Sequence, residues 1–363
     1  MIYIAGFIAG ILLIQLLVAI ANLIWGRLPV KCRYERAPMI SVLIPARNEV
    51  ANIGNLLDDL RRQSYTNMEI LVFDDESTDG TADTAQQKMV LDSRIRIITS
   101  NGLEPGWVGK NFGCHTLAQQ ARGEYYLFLD ADVRIKDNGI WRAICYAMKN
   151  NLGLLSVFPK QIMYSPGEWA SVPVMNYILL TLLPLILVKK SAFSSLSAAN
   201  GQFMLFNAHV YNTFSLHSTF RNNRVEDIAI SRYLKRNMIR IGCKVADDTI
   251  CCRMYHSFAE STTGFSRNIA AYFGNSLLTA FAFWVIINLG WTIFLQYPLI
   301  QYLPFLLLLL IITKITVSIA ARQSIAKNLL YHIPQQFAYA IFMYKALISH
   351  TTKSFIWKGR SIS

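Results

Sequence analysis

The sequence predicts an α/β domain with a mostly parallel sheet, together with apolar helices at both ends of the chain that cross a membrane. Between residues 38 and 260, short apolar segments alternate with amphipathic ones, which is typical of a parallel sheet covered by helices. Two segments outside that region, 2–25 and 268–313, contain no charged residue. Of the 363 residues, 53% are hydrophobic and only 16% are charged. This composition excludes a disordered chain, a coiled coil and a small disulfide scaffold.

The first apolar segment predicts an N-terminal transmembrane anchor over residues 1–26. Its uncharged part, 2–25, is longer than the roughly 20 residues that a bilayer crossing needs. A cleaved signal peptide is the alternative, because the sequence AIA at 19–21 resembles a cleavage site. The length of the segment, and the lack of a basic region before it, favour the anchor. The basic residues between Arg27 and Arg36 then predict that the following domain is cytoplasmic.

Five apolar segments of the middle region predict the strands of the sheet. They are expected at 39–44, 70–73, 95–98, 125–129 and 154–158. After the first of them, four apolar residues recur at helical spacing and predict the buried face of a helix. These are Ile53, Leu56, Leu57 and Leu60.

The second uncharged segment predicts a transmembrane hairpin over residues 268–322. Its uncharged part, 268–313, has 46 residues and suffices for two passes, and Pro298 and Pro304 favour a turn between them. The hairpin returns the chain to the cytoplasmic side. Lys314 would then lie deep in the second pass.

The distribution of charge predicts a membrane partner and excludes a nucleic-acid partner. The net charge is +13, and eight basic but no acidic residues follow Glu260. Residues 38–260 carry a net charge of only +2. A nucleic-acid-binding protein would be expected to carry its basic excess on the folded domain. Here the excess flanks apolar segments, as at a membrane surface.

The six cysteines do not form a recognisable metal or redox motif. They show no C-x-x-C pattern and no cysteine–histidine ligand spacing. We therefore expect free thiols in a reducing compartment.

Acidic pairs at the ends of two predicted strands form the candidate ligand site. Asp74 and Asp75 follow one strand, and Asp130 and Asp132, spaced as D-x-D, follow another. The Gly-Lys pair at 109–110 lacks the other residues of a P-loop, and no strand is followed by G-x-G-x-x-G. Ligands of open α/β sheets bind at the carboxyl ends of the strands. Two carboxylates at this spacing can hold a divalent cation while the phosphates of a substrate fill its other positions.

Four motifs in this order resemble the family 2 glycosyltransferases, which have the GT-A fold and use nucleotide-sugar donors. They are SVLIPARNE at 41–49, FDDESTDGT at 73–81, LDAD at 129–132 and VED at 225–227. The resemblance covers roughly residues 38–260. Three other segments resemble membrane glycosyltransferases that act on carotenoid acids such as diaponeurosporenoate, and hopanoid-associated relatives. These are GWVGK at 106–110, LSVFP at 155–159 and WKGR at 357–360.

The resemblance implies a nucleoside pocket at the first two motifs. Ala46, Arg47 and Glu49 would line it, although a polar turn that caps the next helix is the alternative. Asp75 would accept a hydrogen bond from the N3–H of uracil, which would favour uridine. Asp74 belongs either to this pocket or to the structure of the turn.

The resemblance also implies a metal site for Mg²⁺ or Mn²⁺ at the third motif. Asp132 would be the main metal ligand, and Asp130 would contact ribose or the metal. Lys110 is either close to the diphosphate or a solvated surface lysine.

The acceptor side is implied by the last motif and by the segment GQFM at 201–204. Asp227 is the candidate general base for an inverting transfer, and Glu226 would orient or replace it. The alternative is an ordinary acidic pair at a helix N-terminus. Gln202 would lie on the acceptor side. A carboxylic-acid acceptor, already ionised at neutral pH, would need a strong base less.

Two further apolar segments are predicted to lie in the membrane interface. Residues 169–188 are uncharged, but a crossing would separate the implied metal ligand from the implied general base, and Pro173 and Pro184 interrupt the segment. An amphipathic basic tail is expected at 323–363. Within it, residues 329–349 are apolar but broken by polar side chains, and a crossing there would carry the basic end outside.

The reading that unites these features is a multi-pass, metal-dependent, inverting hexosyltransferase of the cell membrane. It would transfer a hexose from a UDP-sugar to a lipid-like acceptor, such as a carotenoid acid or hopanoid, at the cytoplasmic face. A polyprenyl-phosphate acceptor is one alternative, and a non-catalytic nucleotide-sugar-binding membrane protein is another. A transporter is disfavoured because the apolar segments contain no paired charges. A polymer-extruding synthase is disfavoured because the Q-x-x-R-W motif of such family members is absent.

Overall fold

The structure, a computed structural model, describes residues 1–30 and 36–352 and two short paired strands, Ile356–Trp357 and Arg360–Ser361. Part of the predicted basic segment, with Cys32, and part of the WKGR motif lie outside the described residues. The strands of the two larger sheets are β1 (Ile40–Ala46), β2 (Met68–Asp74), β3 (Ile95–Thr99), β4 (Tyr125–Leu129), β5 (Val133–Ile135), β6 (Leu154–Phe158), β7 (Lys160–Gln161), β8 (Phe203–Asn207), β9 (Ile241–Val245) and β10 (Ile250–Cys252).

Helices cover both faces of the main sheet, and apolar helices from the two ends of the chain pack together in a bundle. They are α1 (Ile2–Trp25), α2 (Val50–Arg61), α3 (Thr81–Leu91), α4 (Gly109–Gln120), α5 (Gly139–Lys149), α6 (Pro166–Ser171), α7 (Pro173–Leu182), α8 (Leu185–Lys190), α9 (Ala208–Phe214), α10 (Leu216–Thr219), α11 (Glu226–Arg236), α12 (Phe258–Ser266), α13 (Ile269–Tyr272), α14 (Leu277–Leu289), α15 (Leu303–Ala320), α16 (Ile325–Leu330) and α17 (His332–Thr352). Two 3₁₀ segments, Gly290–Leu295 and Leu299–Tyr302, connect α14 to α15.

The main sheet has seven strands in the order β3-β2-β1-β4-β8-β6-β9. Neighbouring strands are parallel except at β8, which runs antiparallel to both β4 and β6. The predicted α/β fold with a mostly parallel sheet is therefore confirmed, and each of the five predicted strands is present. Because β1, β2 and β4 are parallel, the motifs that follow them meet at one edge of the sheet.

A second sheet has three strands in the order β5-β10-β7, and its strand β5 directly follows the D-x-D motif in the sequence. Its central strand pairs Cys252 with Val133 of β5 and with Gln161 of β7. Asp132 immediately precedes β5, so this sheet holds the end of the motif against two other parts of the chain.

The predicted helix after β1 is α2, and its apolar face is buried as expected. Its four apolar residues at helical spacing have no exposed surface; they are Ile53, Leu56, Leu57 and Leu60. They pack with Val42, Ile44 and Ile70 of the sheet in one hydrophobic cluster. Burial of this face on one side of the sheet is what the helical period in the sequence predicted.

Among the residues that the structure describes, three helical segments are long and apolar enough to cross a membrane. They are Ile2–Trp25, Leu277–Leu295 and Leu299–Ala320. The first packs along α15, and both contact α7. The length and composition of all three agree with the anchor and hairpin expected from the sequence.

Two sets of hydrogen bonds join α1 to the rest of the chain. The Asn22 side chain donates to the carbonyl oxygens of Leu180 and Leu183 at 3.0 and 2.8 Å and accepts from the Leu185 amide at 2.7 Å. After α1, the Leu28 amide donates to the Val245 carbonyl at 3.0 Å, so the chain pairs with the outer strand β9. The first helix is thus attached to both the interior helices and the main sheet.

The segment 169–188 is divided among α6, α7 and α8 at Pro173 and Pro184. The longest of these helices, α7, has 10 residues, and a helix of that length measures about 15 Å. A hydrocarbon core is about 30 Å thick. None of the three helices is therefore long enough to cross the core alone. The segment packs as a broken, largely buried chain against α1, α15 and α17.

The C-terminal helix α17 differs from the amphipathic tail expected at 323–363. One face packs on α12 and α14, with Ala338 and Phe342 buried, but the opposite face is apolar instead of polar. Its residues that are more than half exposed include Ile333, Phe337, Tyr344 and Leu347. The sequence pattern did not show which face of α17 is polar, because polar residues that break the apolar run can point inward. Gln335 does so and accepts a hydrogen bond from Lys314 of α15.

Glu168 of α6 provides a prediction for the pH dependence of stability. Its side chain has no exposed surface and bonds Arg253 at 2.9 Å. Burial would raise the pKa of Glu168, but hydrogen bonds from Arg253, the Tyr164 amide and Ser165 outweigh it and lower the pKa to about 2. A lowered carboxyl pKa stabilises the fold above the unfolded-state pKa, roughly 4.3, and this contribution is lost as the pH falls toward 2.

We expect acidification from pH 6 to pH 3 to lower the thermal denaturation temperature of the full-length chain in detergent. In Glu168→Gln the denaturation temperature should be lower at pH 6 and should change less between the two pH values. Glu76→Gln, which alters an exposed carboxylate, is the control. Equal acid sensitivity of Glu168→Gln and the unmodified protein would contradict the assignment.

Candidate active site

A cavity of about 1280 Å³ lies at the carboxyl edge of the main sheet. The ends of β1, β2 and β4 meet there with the first turns of α4 and α11, and α12, α13 and α17 form the opposite wall. Most of the residues singled out from the sequence line it: Ala46, Arg47, Glu49, Asp75, Lys110, Asp130, Asp132, Gln202, Glu226 and Asp227. The fold therefore brings all four motifs into one site.

The end of the cavity at the first two motifs is formed by two turns that bond to each other. Arg47 Nη1 donates to the carbonyl oxygen of Asp75 and lies 3.8 Å from its carboxylate. The Glu49 amide donates to Thr81 Oγ1 at 2.7 Å. Asn48, which has a φ of 52°, accepts from the Thr78 amide at 2.9 Å. These bonds fix Asp75, which is buried, at the base of the pocket.

Asp74 lies behind the cavity wall, at the last position of β2. It is buried, and its Oδ2 accepts a long hydrogen bond of 3.4 Å from the Ser77 amide. This placement agrees with the alternative of a structural turn acid.

Lys110 lies at the centre of the acidic cluster. Its Nζ is 2.8 Å from Asp130 Oδ1 and 3.5 Å from Glu226 Oε1. Burial would lower the pKa of Lys110, but the charges of Asp130 and Glu226 outweigh it and hold the pKa well above its ordinary value. Lys110 is therefore a fixed positive charge inside the cavity, and the alternative of a solvated surface lysine is wrong.

Asp132 has one hydrogen-bonded oxygen and one free oxygen. Gln202 Nε2 lies 3.4 Å from its Oδ2, whereas its buried Oδ1 has no hydrogen-bond partner within the described part of the chain. Burial, and then the charge of Asp130, raise the pKa of Asp132 to about 7. This carboxylate therefore lacks a positive partner at the oxygen Oδ1.

Gln202 lies in the cavity wall, but its amide faces the D-x-D side. It is buried, and its Nε2 is also 2.8 Å from Cys252 Sγ. These contacts differ from the acceptor-side position expected for Gln202. The reason is that the chain between α8 and β8 enters the sheet beside β4, where the Gln202 carbonyl accepts from the Asp130 amide at 3.3 Å.

Asp227 and Glu226 occupy the first turn of α11. Asp227 Oδ2 accepts from the Gly201 amide at 2.9 Å, and its Oδ1 accepts from the Ile228 amide at 2.7 Å. Burial raises the pKa of Asp227 against the opposing charge of Lys110, and burial raises that of Glu226 to about 7. A carboxylate with a raised pKa is a better proton acceptor near neutral pH.

The cavity is also lined by residues that no sequence motif indicated. They include several basic and aromatic side chains: Arg224, Arg253, Arg267, His256, Tyr255 and Tyr272. Gly264 allows Tyr255 to pack there, since a Cβ at Gly264 would lie 2.0 Å from the Tyr255 hydroxyl. Most of these residues precede Glu260, so the absence of acidic residues after Glu260 did not indicate them.

A sequence profile described as glycosyl transferase family 2 matches residues 41–262, which is more than half of the chain. The chain belongs to glycosyl transferase family 2. The family resemblance noted in the four motifs is therefore confirmed. A GT-A-type sheet with acidic residues at its carboxyl edge is the corresponding fold.

Two curated relatives of this family 2 glycosyltransferase are named 4,4'-diaponeurosporenoate glycosyltransferase. The one from Staphylococcus haemolyticus (strain JCSC1435) is 27% identical over 245 residues, which cover 65% of this chain and 62% of the relative, or about three fifths of its length. The one from Staphylococcus aureus (strain USA300) is 24% identical over 343 residues, which cover 89% of this chain and 88% of the relative.

A solved structure of similar fold is the mannosyltransferase PcManGT from Pyrobaculum calidifontis, in complex with GDP-Man and Mn²⁺. The similarity covers 97% of this chain and 99% of that one, with a TM-score of 0.58 and 14% sequence identity. At this identity the comparison establishes the fold.

The described residues of this family 2 glycosyltransferase contain no group of three or more His, Cys, Asp or Glu side chains that could hold a metal ion. The side chains nonetheless fit a cation that shares its ligands with a substrate. Such a site needs one or two carboxylates, with substrate phosphates and water as the other ligands. The unbonded Oδ1 of Asp132 and the adjacent Asp130 provide these carboxylates.

Proposed function

We propose that this family 2 glycosyltransferase is an inverting, metal-dependent hexosyltransferase that transfers a hexose from a UDP-sugar to a lipid-like acceptor at the cytoplasmic face of the cell membrane. The observation that carries the proposal is one cavity in which Asp75, Asp132 and Asp227 lie together with residues of α12, α13 and the largely apolar helix α17. This arrangement gives the donor, the reacting bond and an apolar acceptor one shared space.

The donor occupies the side formed by the four motifs. Asp75 accepts the N3–H of uracil, and the turn that contains Ala46, Arg47 and Glu49 surrounds the nucleoside. Asp132 and Asp130 hold a divalent cation, Mg²⁺ or Mn²⁺, which when bound neutralises the charge that develops on the departing diphosphate. Lys110, fixed by Asp130 and Glu226, adds a positive charge close to the same phosphates.

Asp227 lies on the opposite side from the diphosphate and accepts the proton of the attacking acceptor hydroxyl. Its two backbone hydrogen bonds, from Gly201 and Ile228, hold the carboxylate in one orientation. Attack from this side, opposite the leaving group, inverts the anomeric centre. Glu226 shares the turn and keeps Lys110 in place.

The acceptor enters from the wall formed by α12, α13 and α17. Ala346 and Ser349 of α17 line the cavity, while the outer face of the same helix is apolar. An acceptor with a long apolar part can therefore lie along the bundle with its head group in the cavity. The relatives' name gives diaponeurosporenoate, a carboxylate, as their substrate, which supports an acceptor of this chemistry.

The direct test uses membranes from cells that contain the unmodified chain or Asp132→Asn. Each receives radiolabelled UDP-glucose with Mg²⁺ or Mn²⁺ and is extracted with organic solvent. We expect label in the organic phase for the unmodified chain only. Equal label in both samples would contradict the proposal, as would binding of UDP without transfer when a range of UDP-hexoses and apolar acceptors is supplied.

A polyprenyl phosphate is the second candidate acceptor, and two arginines that line the cavity favour it. A phosphate would bind beside Arg224 and Arg267 more strongly than a neutral lipid, whereas Arg253 is already paired with Glu168 at 2.9 Å. Supplying a short-chain polyprenyl phosphate to the same assay distinguishes the two acceptors. Increased label in an acid-labile lipid product indicates this candidate, whereas an unchanged yield favours the carotenoid-type or hopanoid-type acceptor.

The uridine preference gives a further prediction. In Asp75→Ala we expect the dissociation constant of UDP to rise about tenfold or more, because a hydrogen bond to a charged group contributes about 1.5–3 kcal/mol. The dissociation constant of GDP should change little. Arg47 keeps its bond to the backbone carbonyl at residue 75, so the turn is retained. Asp83→Asn, at an exposed carboxylate in the first turn of α3, is the control; equal weakening of UDP and GDP would contradict base recognition.

A further inference from the structure

Asp132 is held by side chains that lie outside the four family motifs. Gln202 Nε2 lies 3.4 Å from Asp132 Oδ2 and 2.8 Å from Cys252 Sγ, so one amide group joins the carboxylate to the sulfur. Gln202 is 2% exposed and Cys252 is fully buried. We propose that Gln202 and Cys252 are positioning residues that orient the Asp132 carboxylate for the divalent cation. This inference rests on the metal site of the proposed function.

The direction of each hydrogen bond follows from the chemistry of the groups. An ionised carboxylate only accepts hydrogen bonds, so the Gln202 amide donates to Asp132. The second N–H of Gln202 donates to the Cys252 sulfur. Gln202 therefore bridges the buried sulfur and the carboxylate with its two N–H groups.

Two further side chains fix the orientation of the Gln202 amide. Its Oε1 lies 3.3 Å from Gln161 Nε2 and 3.5 Å from Asn200 Nδ2, and both of these atoms are donors. A flipped amide would place Oε1 against the carboxylate oxygen of Asp132 and would lose both of these bonds. The amide is thus held with its N–H groups toward Asp132 and Cys252.

The result is an asymmetric carboxylate. Oδ2 of Asp132 receives a hydrogen bond from Gln202, while Oδ1 is buried and has no partner among the residues that the structure describes. Groups that hold a metal ligand from behind orient it and affect metal affinity, commonly by about 10- to 100-fold when they are removed. Gln202 and Cys252 occupy this position relative to Asp132.

The three-stranded sheet explains how these residues are brought together. In register, Cys252 of β10 lies opposite Val133, the residue after Asp132, and opposite Gln161 of β7. The three-stranded sheet therefore places the Cys252 thiol and the Gln161 side chain beside the D-x-D motif. Gln202 arrives from the segment before β8.

The test measures Mn²⁺ binding by full-length protein in lipid nanodiscs, using the electron paramagnetic resonance signal of free Mn²⁺. We expect Cys252→Ala and Gln202→Leu to raise the Mn²⁺ dissociation constant about tenfold. Cys252→Ser, whose hydroxyl still accepts the hydrogen bond from Gln202, should stay within about twofold of the unmodified protein. Cys145→Ala removes an equally buried thiol of α5 and should have no effect.

Each outcome is decisive. Unchanged Mn²⁺ affinity in Cys252→Ala and Gln202→Leu, with normal binding by the unmodified protein, would overturn the inference and leave the proposed metal site intact. No Mn²⁺ binding by the unmodified protein would overturn both. Circular dichroism checks the fold of each variant. If Gln202→Leu unfolds, the comparison of Cys252→Ala with Cys252→Ser decides the question. If Cys252 served only in packing, serine would not restore Mn²⁺ binding specifically.

Discussion

Replacing Asp132 with asparagine is expected to lower the rate of glycosyl transfer about a thousandfold. Charge stabilisation by a metal ion contributes several kcal/mol, and about 4 kcal/mol corresponds to about a thousandfold in rate. Asparagine keeps the size of the side chain and can still accept the hydrogen bond from Gln202. It loses the negative charge at the free oxygen Oδ1, with which Asp132 would hold the cation.

The measurement is the initial rate of label transfer in membranes with equal amounts of each protein. Asp83→Asn, a change of the same kind at an exposed carboxylate in the first turn of α3, is the matched control and should retain full activity. An Asp132→Asn protein that kept more than about a tenth of the activity would contradict the proposed role. Asp130 alone should not compensate for the loss of Asp132, because its Oδ1 already bonds Lys110 at 2.8 Å.

Replacing Asp227 with asparagine is expected to lower the turnover number about a hundredfold or more, while the affinity for UDP stays within about twofold. General-base catalysis contributes about 10²- to 10⁴-fold. Asparagine keeps one carbonyl oxygen, so it can accept a hydrogen bond from only one of the two backbone amides that bond Asp227, those of Gly201 and Ile228. The affinity for UDP therefore also checks that the turn is preserved. A loss confined to turnover would separate a role in proton transfer from a role in donor binding.

Glu226→Gln is the comparison variant for this prediction, because Glu226 is the neighbouring buried carboxylate. We expect a smaller loss, about tenfold, since its main contact is Lys110 at 3.5 Å. A larger loss in Glu226→Gln than in Asp227→Asn would exchange the two roles. A loss below about tenfold in both variants would contradict a general base and would indicate an acceptor that is already ionised.

Much of the fold could be predicted from the sequence because its determinants are local. The strands appear as short apolar segments, and the face of α2 appears as a helical period of apolar residues whose side chains are all buried. The motif acids could be placed at one edge of the sheet because parallel strands end on the same side.

The environment of each acid could not be predicted, because it depends on contacts between distant parts of the chain. Lys110 lies 2.8 Å from a residue 20 positions away, and the Gln202 amide contacts Cys252, which is 50 positions away. Nothing in the spacing of these residues indicates the contact. The same limit applied to Gln202, which the motif assigned to the acceptor side and the structure places beside Asp132.

The cavity wall opposite the four motifs was the least predictable part of the site. It is built from α12, α13 and α17, whose sequences are mainly apolar and small, and such residues serve equally for packing, for contact with lipid and for a binding surface. The exposed apolar face of α17 illustrates the difficulty. Only the packing of its inward polar residues, such as Gln335, distinguishes that helix from an amphipathic surface helix.

The attachment of α1 to the sheet has a consequence for substrate selection. Asn22 bonds the α7–α8 region, and the residues just after α1 pair with β9, so the first helix is attached directly to the main sheet. Under the proposed topology, the height of the reaction centre above the bilayer is constant. The enzyme would then select acceptors by depth in the membrane. It would glycosylate amphiphiles whose reactive group lies at the height of the reaction centre, and would not act on those whose group lies deeper or farther out, even when their chemistry is identical.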